Sequence, residues 1–178
     1  NTETKFKGFF KKIRESEGLR EDIRTRVTST DHCYKLADNI QAVEMNGGTL
    51  NFDFDEELKK ELFECSLGNS MGNFLVGTFR PKIISNYLMH HVHDLFSSVK
   101  DKTSNKKVGV YLISDAHIMA IFRWFNLTMT ENVEYASVLI FELRASDSTY
   151  NVKVLYNGKE VQKIKMNLEE FLKYIKEH

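Results

Sequence analysis

Val108-Gly109-Val110-Tyr111-Leu112-Ile113-Ser114-Asp115-Ala116-His117-Ile118 is the stretch on which the fold turns. An uncharged, mainly apolar run ends abruptly at Ser114-Asp115, and a helix-like pattern follows at once. Residues 108–113 are apolar on both faces of an extended chain, the pattern of a central strand in a parallel sheet. Ligands of open α/β sheets bind beyond the carboxyl ends of such strands. Asp115, at that end and beside a helix N-terminus, can serve as a general acid or hold the leaving group of a phosphate ester. The competing role is structural, because Ser and Asp are favoured helix N-caps. His117 follows in the same helix, either as a site residue or as an exposed first-turn residue; the helix dipole there favours its neutral form.

Upstream of this stretch the spacing predicts helices. Residues 3–29 carry Phe6, Phe9, Phe10, Ile13, Leu19, Ile23 and Val27 among alternating charges, an amphipathic helix with a break near Gly18. A second helix is expected over 31–45, capped by Asp31, and a turn at Asn46-Gly47-Gly48. A third covers 53–67, starting at Asp53 or Asp55 and broken by Gly68 to Gly72. A fourth runs over 80–99 with Pro81 in its first turn. Downstream come a short helix at 117–126, strands at 137–144, 150–156 and 160–164, and a closing helix at 168–177. Ser146-Asp147-Ser148 is a turn signal, and Asn157-Gly158 marks a hairpin. The expected organisation is a mostly helical region, 1–106, and an α/β core, 107–178. Three or four strands make a small sheet, and a strand apolar on both faces requires neighbours, so the remainder of the sheet is expected from elsewhere.

Composition narrows the function classes. The chain has 178 residues, 42% hydrophobic and 28% charged, enough for one domain with a core or a domain and an accessory lobe. Its 25 basic and 25 acidic residues balance, so no general attraction to nucleic acid is expected. No apolar run reaches the roughly 18 residues of a transmembrane span, and the charged residues 1–30 do not read as a signal peptide. Cys33 and Cys65 lack metal-site spacing; they are either one bridge or two core thiols. Asn126-Leu127-Thr128 is a glycosylation sequon, a triplet that also arises by chance.

Other clusters read more simply. His90, His91, His93 and Asp94 form the densest histidine group. His90 shares a helix face with His93 and Asp94, but the zincin spacing is missing, so a solvated or pH-sensitive helix face is expected and no metal. Gly68-Asn69-Ser70-Met71-Gly72 follows a helix and lacks the Lys-Ser/Thr of a phosphate loop. Phe122, Trp124 and Phe125 read as core.

Ser114-Asp115-Ala116-His117-Ile118 after an apolar strand resembles the His-Asp-x-Asn/Thr-Ile segment of the histidine acid phosphatases, branch two of the histidine phosphatase superfamily. Tyr135-Ala136-Ser137 through Glu142-Leu143 is similar to that family's Tyr-Ala-Ser-x-x-x-x-Glu-Leu strand, and Met166-Asn167-Leu168-Glu169-Glu170-Phe171 resembles its Cys-Pro-Leu-Glu-x-Phe segment without the Cys-Pro. The strand 150–156 and the turn at Asn157-Gly158 fall where the family has its final hairpin. The match covers about 108–175; residues 1–99 are similar only in layout to a helical cap. The resemblance implies an α/β fold, part of a three-layer α/β/α phosphoglycerate-mutase-like sheet with a helical cap, completed by a partner chain. It also implies phosphomonoester hydrolysis without a cofactor. Asp115 matches the proton donor, Ser114 and His117 are phosphate-side candidates, and the setting is lysosomal, vacuolar or secreted.

Two departures accompany the resemblance. The Arg-His-Gly nucleophile motif is absent, so an N-terminal portion is expected to supply it. Ser114 stands where the family has a second phosphate-binding histidine, and a hydroxyl offers no charge-assisted contact. The alternatives are a pseudoenzyme serving as a structural subunit, in a cytoplasmic assembly as readily as elsewhere, and a pH-sensing module built on His90, His91 and His93.

Overall fold

A computed structural model describes residues 5–69, 79–146 and 149–178. The protein is mixed α/β. Helices α1 (Lys7–Glu15), α2 (Glu21–Arg26), α3 (Thr30–Met45), α4 (Glu56–Asn69), α5 (Phe79–Lys100) and α6 (Asp115–Trp124) precede three strands, β1 (Leu139–Ser146), β2 (Thr149–Tyr156) and β3 (Lys159–Asn167), and helix α7 (Leu168–Glu177) closes the chain. The strands form one antiparallel sheet in the order β1-β2-β3.

The described residues fall into two compact units. The first holds residues up to 69 together with Thr130–Tyr135; the second holds 79–129 and 136–178. Helix α5, which lies within the expected helical region 1–106, belongs to the second unit with the sheet.

In the first unit the amphipathic pattern of 3–29 becomes two helices, α1 and α2, separated around Gly18. A Cβ on Gly18 would meet the backbone oxygen of Asp53 at 3.3 Å, a tight approach that the glycine relieves. Phe9, Phe10 and Ile13 of α1 are buried with Cys33, Ala37 and Ile40 of α3 and Leu58, Leu62 and Cys65 of α4. The cap of α3 is Ser29, whose side chain accepts the His32 N–H, and not Asp31, which instead pairs with Lys35 one turn on at 2.6 Å. Asp55 opens α4 by accepting the N–H groups of Glu57 and Leu58 at 2.9 and 3.0 Å. Gly68 lies inside α4 rather than breaking it, while 70–72 lie outside the described residues. Residues 130–135 join this unit through Asn132, whose amide donates to Ser66 Oγ, and Tyr135, whose hydroxyl donates to the Asp38 carboxylate at 2.5 Å.

The second unit lays helices on the sheet. Val152 and Val154 of β2, Ile164 of β3 and Leu168, Phe171, Leu172 and Ile175 of α7 are buried, as are Leu88, Met89, Val92 and Phe96 of α5. Helix α6 is buried along most of its length, Trp124 included, in line with the core role read for its aromatics. Asn157 and Gly158 both have positive φ, 47° and 78°, the geometry that an Asn-Gly hairpin turn requires. Asn167 caps α7 in a reciprocal capping box with Glu170. Asp147 and Ser148 of the expected turn before β2 lie outside the described residues.

One expectation is overturned. Residues 108–113 are not a sheet strand: no ladder among the described residues includes them, and the sheet present is antiparallel rather than parallel. Val108, Val110 and Leu112 are 75%, 82% and 98% exposed. A strand buried on both faces needs a neighbour on each edge and a layer on each side. No strand of the small antiparallel sheet pairs with the segment.

Among the described residues no helix is long and apolar enough to cross a membrane. Phe171 is fully buried and its ring lies within about 6 Å of Phe96, Phe125 and Phe141. Phe171→Ala is expected to cost about 3–5 kcal/mol, measured as a fall in urea midpoint. A loss under about 1 kcal/mol, the size of an ordinary surface change, would contradict that central position.

Candidate functional site

The candidate residues stand at the first turn of α6. Ser114 occupies the N-cap position with extended backbone, φ −89° and ψ 168°, yet its side chain caps no backbone N–H. Its Oγ lies instead 2.9 Å from His117 Nδ1. Its carbonyl accepts the His117 N–H at 3.1 Å, starting the helix. Asp115 is the first helical residue, half-buried, and its Oδ1 accepts the Ala116 N–H at 2.8 Å. The sequence left the cap open between Ser114 and Asp115 and the helix at about 117–126; the structure begins the helix at Asp115 with Ser114 in the cap position, and Asp115 takes a helix N–H while Ser114 meets a histidine.

Chemically this is a compact polar turn. It holds a carboxylate, a hydroxyl and an imidazole within three residues, beside the positive end of a ten-residue helix. Ser114 is exposed and His117 half-buried. The hydroxyl and the imidazole are in contact, so a ligand that takes the Ser114 hydroxyl meets a group already engaged by His117. The structure brings Ser114, Asp115 and His117 together because they share one helical turn.

The segment leading into this turn leans on α5. A Cβ on Gly109 would meet Leu95 Cδ2 at 3.4 Å. The ring of His91 lies 5.9 Å from Tyr111 and 4.2 Å from Tyr87. This Tyr87-His91-Tyr111 run was not singled out in the sequence. Its signal is the i,i+4 spacing of Tyr87 and His91, which sets both on one helix face. Helix α5 thus lies beside one side of 108–113, where Tyr111 and Ile113 remain 38% and 37% exposed. Val108, Val110 and Leu112 point the other way.

The histidines of α5 diverge. His90 is exposed, whereas His93 is largely buried, its Nδ1 3.0 Å from Asp94 and its Nε2 without a partner. Among the described residues no three His, Cys, Asp or Glu side chains gather as a metal site. Asn126 is exposed just past α6 in left-handed backbone, φ 55°. In the Tyr-Ala-Ser segment, Ala136 is also left-handed, and Ser137 Oγ sits 3.2 Å from the Tyr156 hydroxyl. Asn157 locks that corner, donating from Nδ2 to Ser137 Oγ and accepting the Val138 N–H on Oδ1.

No protein-family model matches the chain, and no curated protein matches it.

The exposure of 108–113 has a direct readout. In the chain alone, its amide hydrogens are expected to exchange near the rate of an unstructured peptide, while those of the central strand β2 are protected. Protection of 108–113 equal to that of β2, by exchange mass spectrometry, would contradict this arrangement.

Proposed function

We propose that this chain is the C-terminal portion of a histidine acid phosphatase-like protein. It hydrolyses phosphomonoesters only together with a separate N-terminal portion that carries an Arg-His-Gly nucleophile. One observation carries the reading: 108–113 has the residue pattern of a core strand, lies bare of sheet neighbours, and ends at the polar turn Ser114-Asp115-His117. Exposing an apolar run of this kind is costly in water, and contiguous exposed apolar surface marks an interaction site. Strands added on either edge would satisfy its backbone groups, and a layer over its open face would bury Val108, Val110 and Leu112. The three-layer phosphoglycerate-mutase-like sheet is completed in this way.

In the completed site the partner's histidine attacks phosphorus and arginines hold the phosphoryl oxygens. Asp115 protonates the departing alkoxide. Ser114 hydrogen-bonds a phosphate oxygen, and His117, already in contact with Ser114, supplies the imidazole that the family carries one residue before the Asp. A lysosomal, vacuolar or secreted setting accords with the sequon at the exposed Asn126.

Ser114 itself favours a second reading, a pseudoenzyme that keeps the fold as a subunit. The two separate by experiment. The chain is co-expressed with the polypeptide that copurifies with it from its source, and hydrolysis of an aryl phosphate is followed at acid pH. Turnover that drops about 10²–10⁴-fold in Asp115→Asn supports catalysis. Absence of turnover in an intact complex supports the pseudoenzyme.

Completion of the sheet has its own test. Leu112→Asp changes a residue that is 98% exposed, so the chain alone should keep its stability. Copurification of the partner should be lost. A complex that tolerates Leu112→Asp, or a native protein that is a lone folded monomer by mass spectrometry, would rule the reading out.

A further inference from the structure

Cys33 and Cys65 lie 32 positions apart, one in the first turn of α3 and the other late in α4. The fold turns their side chains toward each other, Sγ to Sγ at 2.7 Å. Unbonded heavy atoms rest about 3.5–4.0 Å apart even when smaller than sulfur, so the two sulfurs stand closer than two packed thiols do. Neither residue has any solvent exposure. Ile13, Ala37, Ile40 and Leu62 belong to the same buried cluster, and among the described residues no His, Asp or Glu joins the pair as a metal site. The hydrogen bond from Cys65, together with burial, holds the Cys33 thiol far above its ordinary value. A buried thiol of that kind is a poor nucleophile, so any covalent chemistry belongs to the stage before α3 and α4 close over it.

We propose that Cys33 and Cys65 form a structural disulfide that staples α3 to α4 during folding. The oxidant is a low-molecular-weight or protein disulfide. One cysteine thiolate attacks it, breaking its S–S bond and releasing one thiol. The second thiolate then attacks the mixed disulfide, forming the Cys33–Cys65 bond and releasing the other thiol. Two protons and two electrons thus pass from the cysteines to the oxidant.

The bridge closes a loop that contains the Asn46-Gly47-Gly48 turn and the entry into α4. Restricting the unfolded chain over a loop of this length changes the unfolding equilibrium by about 500-fold in the chain-entropy account. It also assigns the chain to an oxidising compartment, since such bridges do not persist in the reducing cytosol. The inference stands apart from the phosphatase reading, because it concerns the helical unit and its test needs no turnover.

The chain is directed to an oxidising compartment on expression, denatured in excess N-ethylmaleimide without reductant, digested and analysed by mass spectrometry. The expected result is no alkylated cysteine and one linked pair of peptides containing Cys33 and Cys65. Alkylation of both cysteines, or mixed disulfides to other molecules, would overturn the proposal. A second measurement follows the urea midpoint of the wild-type chain and of the Cys33→Ala, Cys65→Ala double variant, each with and without a phosphine reductant. Reductant should lower the midpoint of the wild type alone. A wild-type midpoint indifferent to reductant would overturn the proposal as well.

Discussion

Phe171 is the residue through which the second unit holds together. Its ring is wholly buried and meets aromatic rings from α5, β1 and the end of α6. Three elements distant in sequence thus converge on the first turns of α7. Next to it, Tyr174 stacks on Phe125 at 5.2 Å and donates its hydroxyl to the Trp124 carbonyl at 2.7 Å. The C-terminal end of α6 is therefore pinned by both packing and a hydrogen bond that satisfies a terminal helix carbonyl. A ten-residue helix fixed at one end and buried along its side has little freedom at the other. The polar turn at Ser114, Asp115 and His117 inherits its orientation from an aromatic cluster it does not touch.

Against that order, 108–113 stands out. Elsewhere in the unit every strand finds its partner a few residues away, through the Asn157-Gly158 turn or the short connection before β2. The leading segment has no such local partner. It lies on α5 by one side, with Gly109 near Leu95 and Tyr111 near His91, and shows Val108, Val110 and Leu112 to solvent. Sequence pattern and structure disagree here for a physical reason. The pattern records what the residues are suited to bury, while the structure records what is available to bury them.

Much of the candidate site could be read in the chain. The apolar run ending at Ser114-Asp115 pointed to a helix just beyond it, expected at 117–126 and found at Asp115–Trp124, and of the two cap candidates Ser114 holds the cap position. What the pattern did not disclose was the division of bonds within the turn. Ser114 meets His117 rather than a backbone N–H, and Asp115 takes the Ala116 N–H. All the groups involved lie within one turn, so propensity alone does not rank their pairings. The cap of α3 failed for the same reason: Ser29 and Asp31 are both good cap residues, and the position of the first helical turn chose between them.

The sequence by itself determined the helices, the β2–β3 hairpin and its Asn-Gly turn, and the place of the polar turn at the head of α6. These depend on residue periodicity, turn chemistry and capping, which act over a few neighbours. Only the tertiary structure decided that α5 joins the unit holding the sheet, against α6 and α7, that Cys33 and Cys65 face each other across 32 positions, and that 108–113 remains without a ladder. Each of those depends on which surface comes opposite which. That choice is made by groups far apart in the chain, and for 108–113 no described strand supplies a ladder.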